Sequence, residues 1–519
     1  MKPTLRPYQT QMVREIYDRI GNGHSKIAII AGTGAGKTVI SGQVCADAVL
    51  QQHCRLLFLV HLDVLVRQTH KKLQGFGLHC GFIKAGFRED QNALVQIASI
   101  QTMAKRQWWR KWHADIVFYD EAHLTLFSQV GQDVLYKTHR DSIHLAMTAT
   151  PERLGEDQLG EHLETFVASP PPAQLQSMGF LAQMRYYALP ADGQAKLVDV
   201  ETVNGDYDIK GLRNACDRPE LVAKIVQEWR RLVAGKRTIA FCVDIEHAHH
   251  VAAAFRQSGI PAATVEGNTS IKDRQKLYAD LREERILVLT SCDVISIGFD
   301  EPSVEVGLLL RPTQSSALHI QQIGRVMRIS PQTGKEFGVI LDQAGNLERL
   351  GFPEDITQYH LPMRKIKAMR SKGPTRKVCP NCDQLQPKFL MQCSCGHSWR
   401  KPKKVNTGDL VQVYSSVQAQ QIDDPELLRQ MFHQIRQRIF TAGYSLDVAH
   451  QQFFEYAGRE PLPEWHRGSI VGDLPGQDAI AAFWHYLQRC ASSQGFSQDW
   501  VRYEFELETG CVPPSHLVA

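Results

Sequence analysis

The 519-residue sequence lacks the features that place a protein in or across a membrane. It contains no run of about 18 apolar residues, the length that a bilayer-spanning helix needs. The first residues, Met1-Lys2-Pro3-Thr4-Leu5-Arg6, also lack the apolar core of a signal peptide. We therefore expect a cytoplasmic protein without a membrane partner.

A strong excess of one charge is missing too. The chain has 59 Lys and Arg against 55 Asp and Glu, a net charge of +4, so a polyanionic partner has to be sought in local charge. Cysteine is sparse: eight of the 12 cysteines are scattered, which is not the pattern of a disulfide-stapled secreted domain. The length predicts roughly three or four domains.

The most informative stretch runs from Lys26 to Thr38. An apolar strand leads into a glycine-rich turn that ends in Lys37-Thr38 at the predicted start of a helix. Glycines let backbone N–H groups close around phosphate oxygens, and the helix N-terminus adds a positive dipole end. Lys37 would reach the β- and γ-phosphates, and the Thr38 hydroxyl would hold Mg²⁺. We interpret the turn as an NTP site; its phosphate-binding residues would be Thr33, Gly34, Ala35, Gly36, Lys37 and Thr38.

A base-binding group precedes this turn, in Leu5-Arg6-Pro7-Tyr8-Gln9. A Gln amide can pair with the N6/N7 edge of adenine. We therefore predict that Gln9 selects adenine, with Arg6 or Tyr8 packing nearby.

Short, continuously apolar segments alternate with helical segments over the first 150 or so residues. Such segments are typical of strands buried on both faces of a parallel sheet. They are Arg55–Val60, Val95–Ile100, Ile116–Tyr119 and Ile143–Met147. Ligands bind beyond the carboxyl ends of such strands, so the polar clusters found there would share one edge with the glycine-rich turn. These clusters begin at His61, Ser99, Asp120 and Thr148.

The cluster Asp120-Glu121-Ala122-His123 carries the predicted chemistry. Asp120 would bind Mg²⁺ through its water shell, and Glu121 would orient or deprotonate the attacking water. The alternative is a helix start that uses two acids against the helix dipole. The phosphate-binding turn about eighty residues earlier favours the catalytic interpretation.

A second set of strands and helices resumes at Thr238, beyond the break at Pro170-Pro171-Pro172. It has no glycine-rich turn of its own. Arg325 and Arg328 are three residues apart, on one face of a predicted helix, beside Gln321. They would clamp a γ-phosphate held by the first lobe; a solvated basic helix face is the alternative. Gly324, inside that helix, indicates close approach to another surface.

The ordered set of motifs resembles a superfamily 2 helicase with a DEAH-type box, over about residues 1–350. Ala31 in the first position of the turn suits that family. Within it, the sequence is similar to RadD-type bacterial DNA-repair ATPases, through Leu5–Gln9, Leu310–Thr313, Leu341–Asn346 and the cysteine module that follows. Phage- or plasmid-borne relatives share this layout. The chain departs from the family at Cys292, where many relatives have Thr, and at Gln321, where some have His.

The resemblance implies further site residues. Gly298 and Asp300 would approach the nucleotide ribose, and His123 would couple the ATP site to the Gln321 segment. The nucleic-acid contacts that it implies on the two lobes are His61, Gln101, Thr102 and Thr290.

Residues 364–404 are strongly basic, with twelve Lys and Arg residues and one acid, Asp383. They contain Cys379, Cys382, Cys393 and Cys395, a C-x₂-C-x₁₀-C-x-C spacing that fits one tetrahedral Zn²⁺ site. His397 is the alternative to Cys395 as a ligand. The basic residues around the metal site either face solvent beside a purely structural ribbon or contact nucleic acid. The contact residues would be Lys377, Lys388, Trp399 and Lys403.

The sequence thus predicts an α/β fold of two tandem RecA-like parallel-sheet lobes, followed by a small zinc ribbon and an α-helical C-terminal domain. The expected boundaries are 1–170 for lobe 1, 171–215 for a connector, 216–350 for lobe 2, 351–375 for a basic linker, 376–404 for the ribbon and 405–519 for the helical domain. We expect an ATP-, Mg²⁺- and Zn²⁺-dependent helicase or translocase on single-stranded or branched DNA. An RNA helicase, an ATP-switched clamp and an ATPase subunit of a restriction or defence complex are alternatives, and the C-terminal domain is a possible site for a protein partner.

Overall fold

A computed structural model describes residues 3–61, 63–152, 157–188, 197, 200–203, 205–292, 301–363, 376–378, 385–387, 411–415, 418, 422–441, 446–462, 465, 484, 487–488, 501–502 and 505. The four cysteines of the expected zinc site, and Gly298 and Asp300, lie outside these residues.

The first lobe is a parallel sheet flanked by helices. Its strands are β1 Lys26–Ile30, β2 Leu56–Val60, β3 Cys80–Ile83, β4 Val95–Ser99, β5 Ile116–Tyr119, β6 Ile143–Thr148 and β7 Thr165–Ala168, in the order β3-β4-β2-β5-β6-β1-β7. Its helices are α1 Pro7–Gly21, α2 Lys37–Gln52, α3 Asp63–Gly75, α4 Ile100–Met103, α5 Ala122–Thr125 and α6 Gln129–Asp133. Five of the seven strands were predicted. Strands β3 and β7 were not predicted; both are four residues long, and only one of the four residues of β7 is fully buried.

The second lobe has a sheet of similar size. Helix α7 Pro172–Ser177 leads to β8 Gln183–Ala188, and a hairpin of β9 Thr202–Val203 and β10 Asp206–Tyr207 follows. The other strands of the sheet are β11 Thr238–Phe241, β12 Ala262–Val265, β13 Val288–Ser291, β14 Val306–Leu309 and β15 Phe337–Asp342. The helices are α8 Ile209–Cys216, α9 Pro219–Val233, α10 Ile245–Gln257, α11 Ile271–Arg282, α12 Ser316–Val326 and α13 Asn346–Leu350.

Short segments outside the lobes complete the described secondary structure. Strands β16 Arg376–Val378 and β17 Leu385–Pro387 form an antiparallel pair, and β18 Val411–Val413 pairs antiparallel with β8. The second sheet therefore has the order β12-β13-β11-β14-β15-β8-β18. Two further helices, Pro425–Thr441 and Leu446–Ala457, pack around Phe432, Phe453 and Trp465.

Three expected boundaries differ from the structure. The connector 171–215 supplies β8, which belongs to the second sheet, and the tail supplies β18. Strand β8 alternates exposed and buried residues, so it does not resemble the continuously apolar strands beside it. The expected basic linker is also structured at its start. Its Tyr359 and Leu361 pack on the core of the first lobe, and the Pro362 carbonyl accepts a 2.8 Å hydrogen bond from Gly160 N.

Within the described residues, no helix is long and apolar enough to span a bilayer. The helical C-terminal domain stays a prediction beyond the two helices already given.

Candidate nucleotide site between the two lobes

The glycine-rich turn lies between β1 and α2, and its backbone requires glycine at two positions. Gly34 and Gly36 have φ values of +86° and +85°, the left-handed region that other residues adopt at a cost. Gly36 is also the residue before α2, and a Cβ there would overlap the Gln9 side chain. The turn therefore keeps its shape because a neighbouring element fills the space behind it.

Gln9 and Tyr8 of α1 form that neighbouring element. The Gln9 amide donates to the Ala35 carbonyl at 3.0 Å, and the Tyr8 hydroxyl donates to the same oxygen at 2.8 Å. The Gln9 side-chain oxygen accepts from Arg6 N at 2.9 Å. With 3% of its surface exposed, Gln9 supports the phosphate-binding turn. Its predicted contact with adenine stays a prediction.

Phe180, which the sequence analysis did not single out, lies on the wall of the nucleotide cavity. The Arg6 guanidinium lies 4.6 Å from the centre of the Phe180 ring, and the Tyr8 ring packs on Phe180 with centroids 5.4 Å apart. A planar guanidinium and an aromatic ring at one end of the cavity form a surface on which a nucleobase can stack. No local pattern marks Phe180, because it follows the short helix α7 in the connector.

Lys37, Glu121 and His123 are brought together at the carboxyl ends of β1 and β5. Lys37 Nζ lies 3.4 Å from Glu121 Oε1, and His123 Nδ1 lies 3.6 Å from Glu121 Oε2. Burial by itself would raise the pKa of Glu121, but Lys37 first, then His123 and Arg325, outweigh it and hold the pKa below its ordinary value. Glu121 is therefore a carboxylate at neutral pH.

Asp120 titrates differently although it adjoins Glu121. Burial, followed by the Glu121 charge, raises the pKa of Asp120 to about 6. Its Oδ1 accepts from Glu121 N at 3.1 Å. Two adjacent carboxylates with opposite pKa shifts indicate different tasks at one site.

The oxygen atoms near Lys37 fit a magnesium nucleotide. Carboxylate and hydroxyl oxygens are the ligands that Mg²⁺ prefers, and Asp120 and Thr38 supply them on the same cavity wall. The buried Thr33 hydroxyl and Glu121 Oε2 have no hydrogen-bond partner within the described part of the chain. Lys72 of α3 donates to the Thr38 hydroxyl at 3.4 Å, so a positively charged group lies beside this hydroxyl.

The second lobe closes the cavity. The segment around α12 lines the same cavity as Lys37 through Gln321, Arg325 and Arg328. This cavity has a volume of about 320 Å³. A Cβ at Gly324 would overlap the side chain of Thr33, so the two lobes are in contact at this point. The close approach that Gly324 predicted is confirmed, and its neighbour is the phosphate-binding turn.

Lys335 fixes the end of α12 from inside the second lobe. Its ammonium donates to the carbonyls of Val304, Val326 and Arg328 at 2.5 to 2.7 Å. Burial lowers the pKa of Lys335 to about 7, which Glu305 partly opposes. The sequence analysis missed Lys335, as it missed Lys72 and Gln68 on the cavity wall, because single lysines and glutamines carry no local signal.

The predicted nucleic-acid contacts of the first lobe lie together at the carboxyl edge of its sheet. Gln101 Nε2 donates to the His61 carbonyl at 2.6 Å. Burial lowers the pKa of His61, so the imidazole is neutral at physiological pH. Thr102 is buried and its hydroxyl accepts from Ala85 N at 3.4 Å, so it supports a loop instead of facing solvent.

Thr290 does not lie at a surface. It is 0% exposed in β13, and its hydroxyl donates to the Ala248 carbonyl at 2.9 Å. The predicted contact of Thr290 with nucleic acid is therefore wrong. Thr290 lies in the core of the second sheet, and its hydroxyl binds the backbone there.

Several predicted site residues cannot be placed in this arrangement. Gly298, Asp300, Lys388, Trp399 and Lys403 lie outside the described residues, as do Cys379, Cys382, Cys393 and Cys395. Lys377 lies on β16, but its side chain is not described. Among the residues that the structure does describe, no group of three or more His, Cys, Asp and Glu could hold a metal ion. The zinc site therefore stays a prediction.

Two parallel-sheet lobes that enclose one cavity, with a phosphate-binding turn on one side and two arginines on the other, define the class of helicase-type ATPases. Residues 2–153 match the family described as "Type III restriction enzyme, res subunit", and residues 218–330 match "Helicase conserved C-terminal domain". These matches indicate a superfamily 2 helicase-type family and support an ATP-hydrolysing enzyme. The family implies ATP and Mg²⁺ as cofactors.

The chain is also similar to individual proteins over more than half of its length. A "51.5 kDa protein" of Lactococcus phage (isolate 7-9) is 28% identical over 375 residues, 72% of this chain and 78% of that protein. A Saccharomyces cerevisiae protein assigned as the ATP-dependent helicase IRC3 is 25% identical over 346 residues, 63% of this chain. The chain spans 50% of that protein's length.

A solved structure shows the same fold. The fragment structure assigned to an HsdR subunit of a type I restriction enzyme from Vibrio vulnificus has a TM-score of 0.53 and 20% sequence identity. The similarity covers 67% of this chain and 66% of that one. The finer likeness to RadD-type enzymes stays a prediction.

Proposed function

We propose that this chain is an ATP-driven motor that moves along DNA as a helicase or translocase. The observation that carries the proposal is the shared cavity. Lys37 and Glu121 come from one lobe, and Gln321, Arg325 and Arg328 come from the other. A triphosphate held there contacts both lobes, so binding it closes the cleft and losing its γ-phosphate lets the cleft reopen.

The chain's own residues divide the reaction between the lobes. The backbone N–H groups of the turn and the Lys37 ammonium hold the phosphates in line. Glu121, kept ionised by Lys37, orients the attacking water and accepts its proton at a carboxylate oxygen. Arg325 and Arg328 offset the charge that develops on the phosphoryl oxygens. Mg²⁺, when bound, neutralises the phosphates beside Thr38 and Asp120.

DNA is the preferred substrate because the resemblance to RadD-type repair ATPases includes sequence segments outside the general helicase motifs. These are Leu310–Thr313 and Leu341–Asn346, and the structure joins them. The Asn346 side chain accepts from Thr313 N at 3.1 Å and donates to the Arg311 carbonyl at 2.9 Å. The network fixes the loop that leads into α12, and the assignment to DNA repair rests on the resemblance.

A second candidate is an ATPase subunit of a restriction or defence assembly. The match of residues 2–153 to the res subunit of type III restriction enzymes favours it. In that case a partner chain would supply the nuclease, and co-purification with that partner would distinguish this role from an independent motor.

We also propose that Cys379, Cys382, Cys393 and Cys395 bind one Zn²⁺ ion and that the surrounding basic residues contact nucleic acid. The support is the ligand type and the spacing within residues 364–404. Elemental analysis of the purified chain should find about one zinc per molecule. A folded preparation with no bound zinc contradicts the proposal.

The test of the motor is ATP hydrolysis by the purified chain, titrated with single-stranded, forked and duplex DNA and with RNA of the same sequence. We expect DNA to stimulate turnover, with single-stranded or forked DNA most effective. Stimulation by RNA alone supports an RNA helicase, and stimulation by DNA with neither strand displacement nor movement along the strand supports a clamp. Turnover that no nucleic acid changes contradicts the proposal.

A further inference from the structure

A stack of aromatic and cationic side chains lies at one end of the first sheet, outside the nucleotide cavity. Phe87, in the loop after β3, packs against Phe82 with ring centroids 4.7 Å apart. The Arg67 guanidinium of α3 lies over the Phe87 ring at 4.5 Å. His70 meets the edge of Phe82 at 4.8 Å. These four residues are called the Arg67–Phe87 stack below.

The stack continues the edge on which the predicted nucleic-acid residues lie. Strands β3, β4 and β2 are neighbours and parallel, so their carboxyl ends share one edge. Thr102, after β4, binds the backbone of Ala85 in the loop that carries Phe87. Gln101 binds the His61 carbonyl after β2. Contacts therefore run without a break from His61 to the stack.

The charge around the stack is suited to a polyanion. The two acids of the loop each lie against a base: Glu89 pairs with Arg106, and Asp90 lies 2.8 Å from His79. Arg67 and Arg88 are exposed. This surface thus presents the Arg67 guanidinium on the Phe87 ring and the exposed Arg88 next to Phe87 in the chain, while the Glu89 carboxylate is paired with Arg106.

We propose that the Arg67–Phe87 stack is a base-stacking contact for a single nucleic-acid strand that runs along this edge from His61. The inference rests on the proposed function and adds a substrate-binding site to it. Guanidinium planes and aromatic rings both stack on unpaired bases, and the N–H groups of a guanidinium can also reach phosphate oxygens. Arg67 already lies over the Phe87 ring, so the two side chains are in contact before a strand binds.

The test separates the guanidinium plane from its charge. Arg67→Lys keeps the charge and removes the plane, Arg67→Ala removes both, and Phe87→Leu removes the ring beneath the plane. Arg140→Ala is the control, because Arg140 is exposed and precedes the amino end of β6, at the opposite edge of the sheet. Binding of a fluorescent single-stranded oligonucleotide is measured over a range of salt concentrations, together with basal and stimulated ATP hydrolysis.

We expect Arg67→Lys and Phe87→Leu to weaken oligonucleotide binding about 5- to 100-fold, the loss of one stacked base, with the salt dependence unchanged. Arg67→Ala should weaken binding further and lower the slope of log K against log salt by about 0.7. Basal ATP hydrolysis should match the wild type in all variants, because Arg67 and Phe87 are not among the residues that line the nucleotide cavity.

Two results overturn the inference in distinguishable ways. If Arg67→Lys and Phe87→Leu bind the oligonucleotide as tightly as Arg140→Ala, the stack is not part of the binding surface. The proposed motor function is unaffected by that result. A wild-type chain that binds no nucleic acid overturns the inference and the proposed function together.

Discussion

Gly324 of α12 lies directly against Thr33 of the phosphate-binding turn, and no side chain fits between them. This contact joins the two lobes at the point where the nucleotide phosphates would bind. Gly324 sits between Gln321 and Arg325, so a displacement there moves both. A mid-helix glycine is unfavourable by about 1 kcal/mol, and here the close contact explains its presence.

Gly324→Ala should lower the rate of ATP hydrolysis strongly, because the added methyl group pushes α12 away from Thr33. A misplacement of about 1 Å can cost on the order of 100-fold in rate. Gly267→Ala is the matched control in the same lobe, since nothing lies within 4 Å of its added Cβ. Equal steady-state rates for the two variants would refute the role of this contact.

Lys37→Ala and Glu121→Gln should each lower nucleic-acid-stimulated hydrolysis by roughly 100-fold or more, the first through a lost positive charge on the phosphates and the second through a lost general base. The two should differ in nucleotide binding: Lys37→Ala loses a phosphate contact, whereas Glu121→Gln keeps it. Equilibrium binding of a fluorescent ATP analogue measures the difference, and circular dichroism checks the fold. Normal turnover by either variant removes that residue from the catalytic site.

Phe180→Leu should raise the KM for ATP about 5- to 100-fold, because the base loses an aromatic stacking surface worth roughly 1–3 kcal/mol. The kcat should change less, since a stacking contact with the base acts on ground-state binding more than on the reacting phosphate. Met178→Ala is the control: it is 46% exposed in the same segment. An unchanged KM would place the base elsewhere in the cavity.

Lys335 predicts a pH dependence of stability. Its pKa is about 7 in the folded chain and near 10.5 when unfolded, so between these values the unfolded state binds more protons. Stability from this group therefore rises with pH across that window, by at most about 1.4 kcal/mol per pH unit. Well below pH 7 both states are protonated, and the dependence disappears.

Lys335→Gln tests this because it removes the titration and keeps two N–H donors near the three carbonyls. The difference in thermal midpoint, wild type minus variant, should grow between pH 7 and pH 9 and stay constant between pH 6 and pH 6.5. A difference that is the same at pH 7 and pH 9 would show that Lys335 does not titrate there.

Local sequence was informative where the chemistry is local. The turn that ends in Lys37-Thr38 needs glycines and a following helix, and both can be read within about a dozen residues. The acids Asp120 and Glu121 follow a buried strand, so their edge of the sheet could be predicted as well. The predicted strands of the second lobe were found for the same reason, because buried parallel strands are continuously apolar.

Local sequence was uninformative where a residue's role depends on distant contacts. Thr290 matches a helicase position but is buried beneath α10, where its hydroxyl binds a backbone carbonyl. Phe180 and Lys335 belong to no motif. Only packing brings Phe180 to the wall of the nucleotide cavity, and only packing brings Lys335 to the end of α12. Strand β18 joins the second sheet from more than 200 residues beyond β8.

The sequence by itself thus determined that two α/β units, a phosphate-binding turn and a pair of arginines exist in this chain. The tertiary structure alone decided that the arginines face Lys37, that Gly324 touches Thr33 and that Arg67 lies on Phe87. Strand and turn formation depend on neighbouring residues, whereas a cavity between lobes is formed by surfaces that are hundreds of residues apart in the chain.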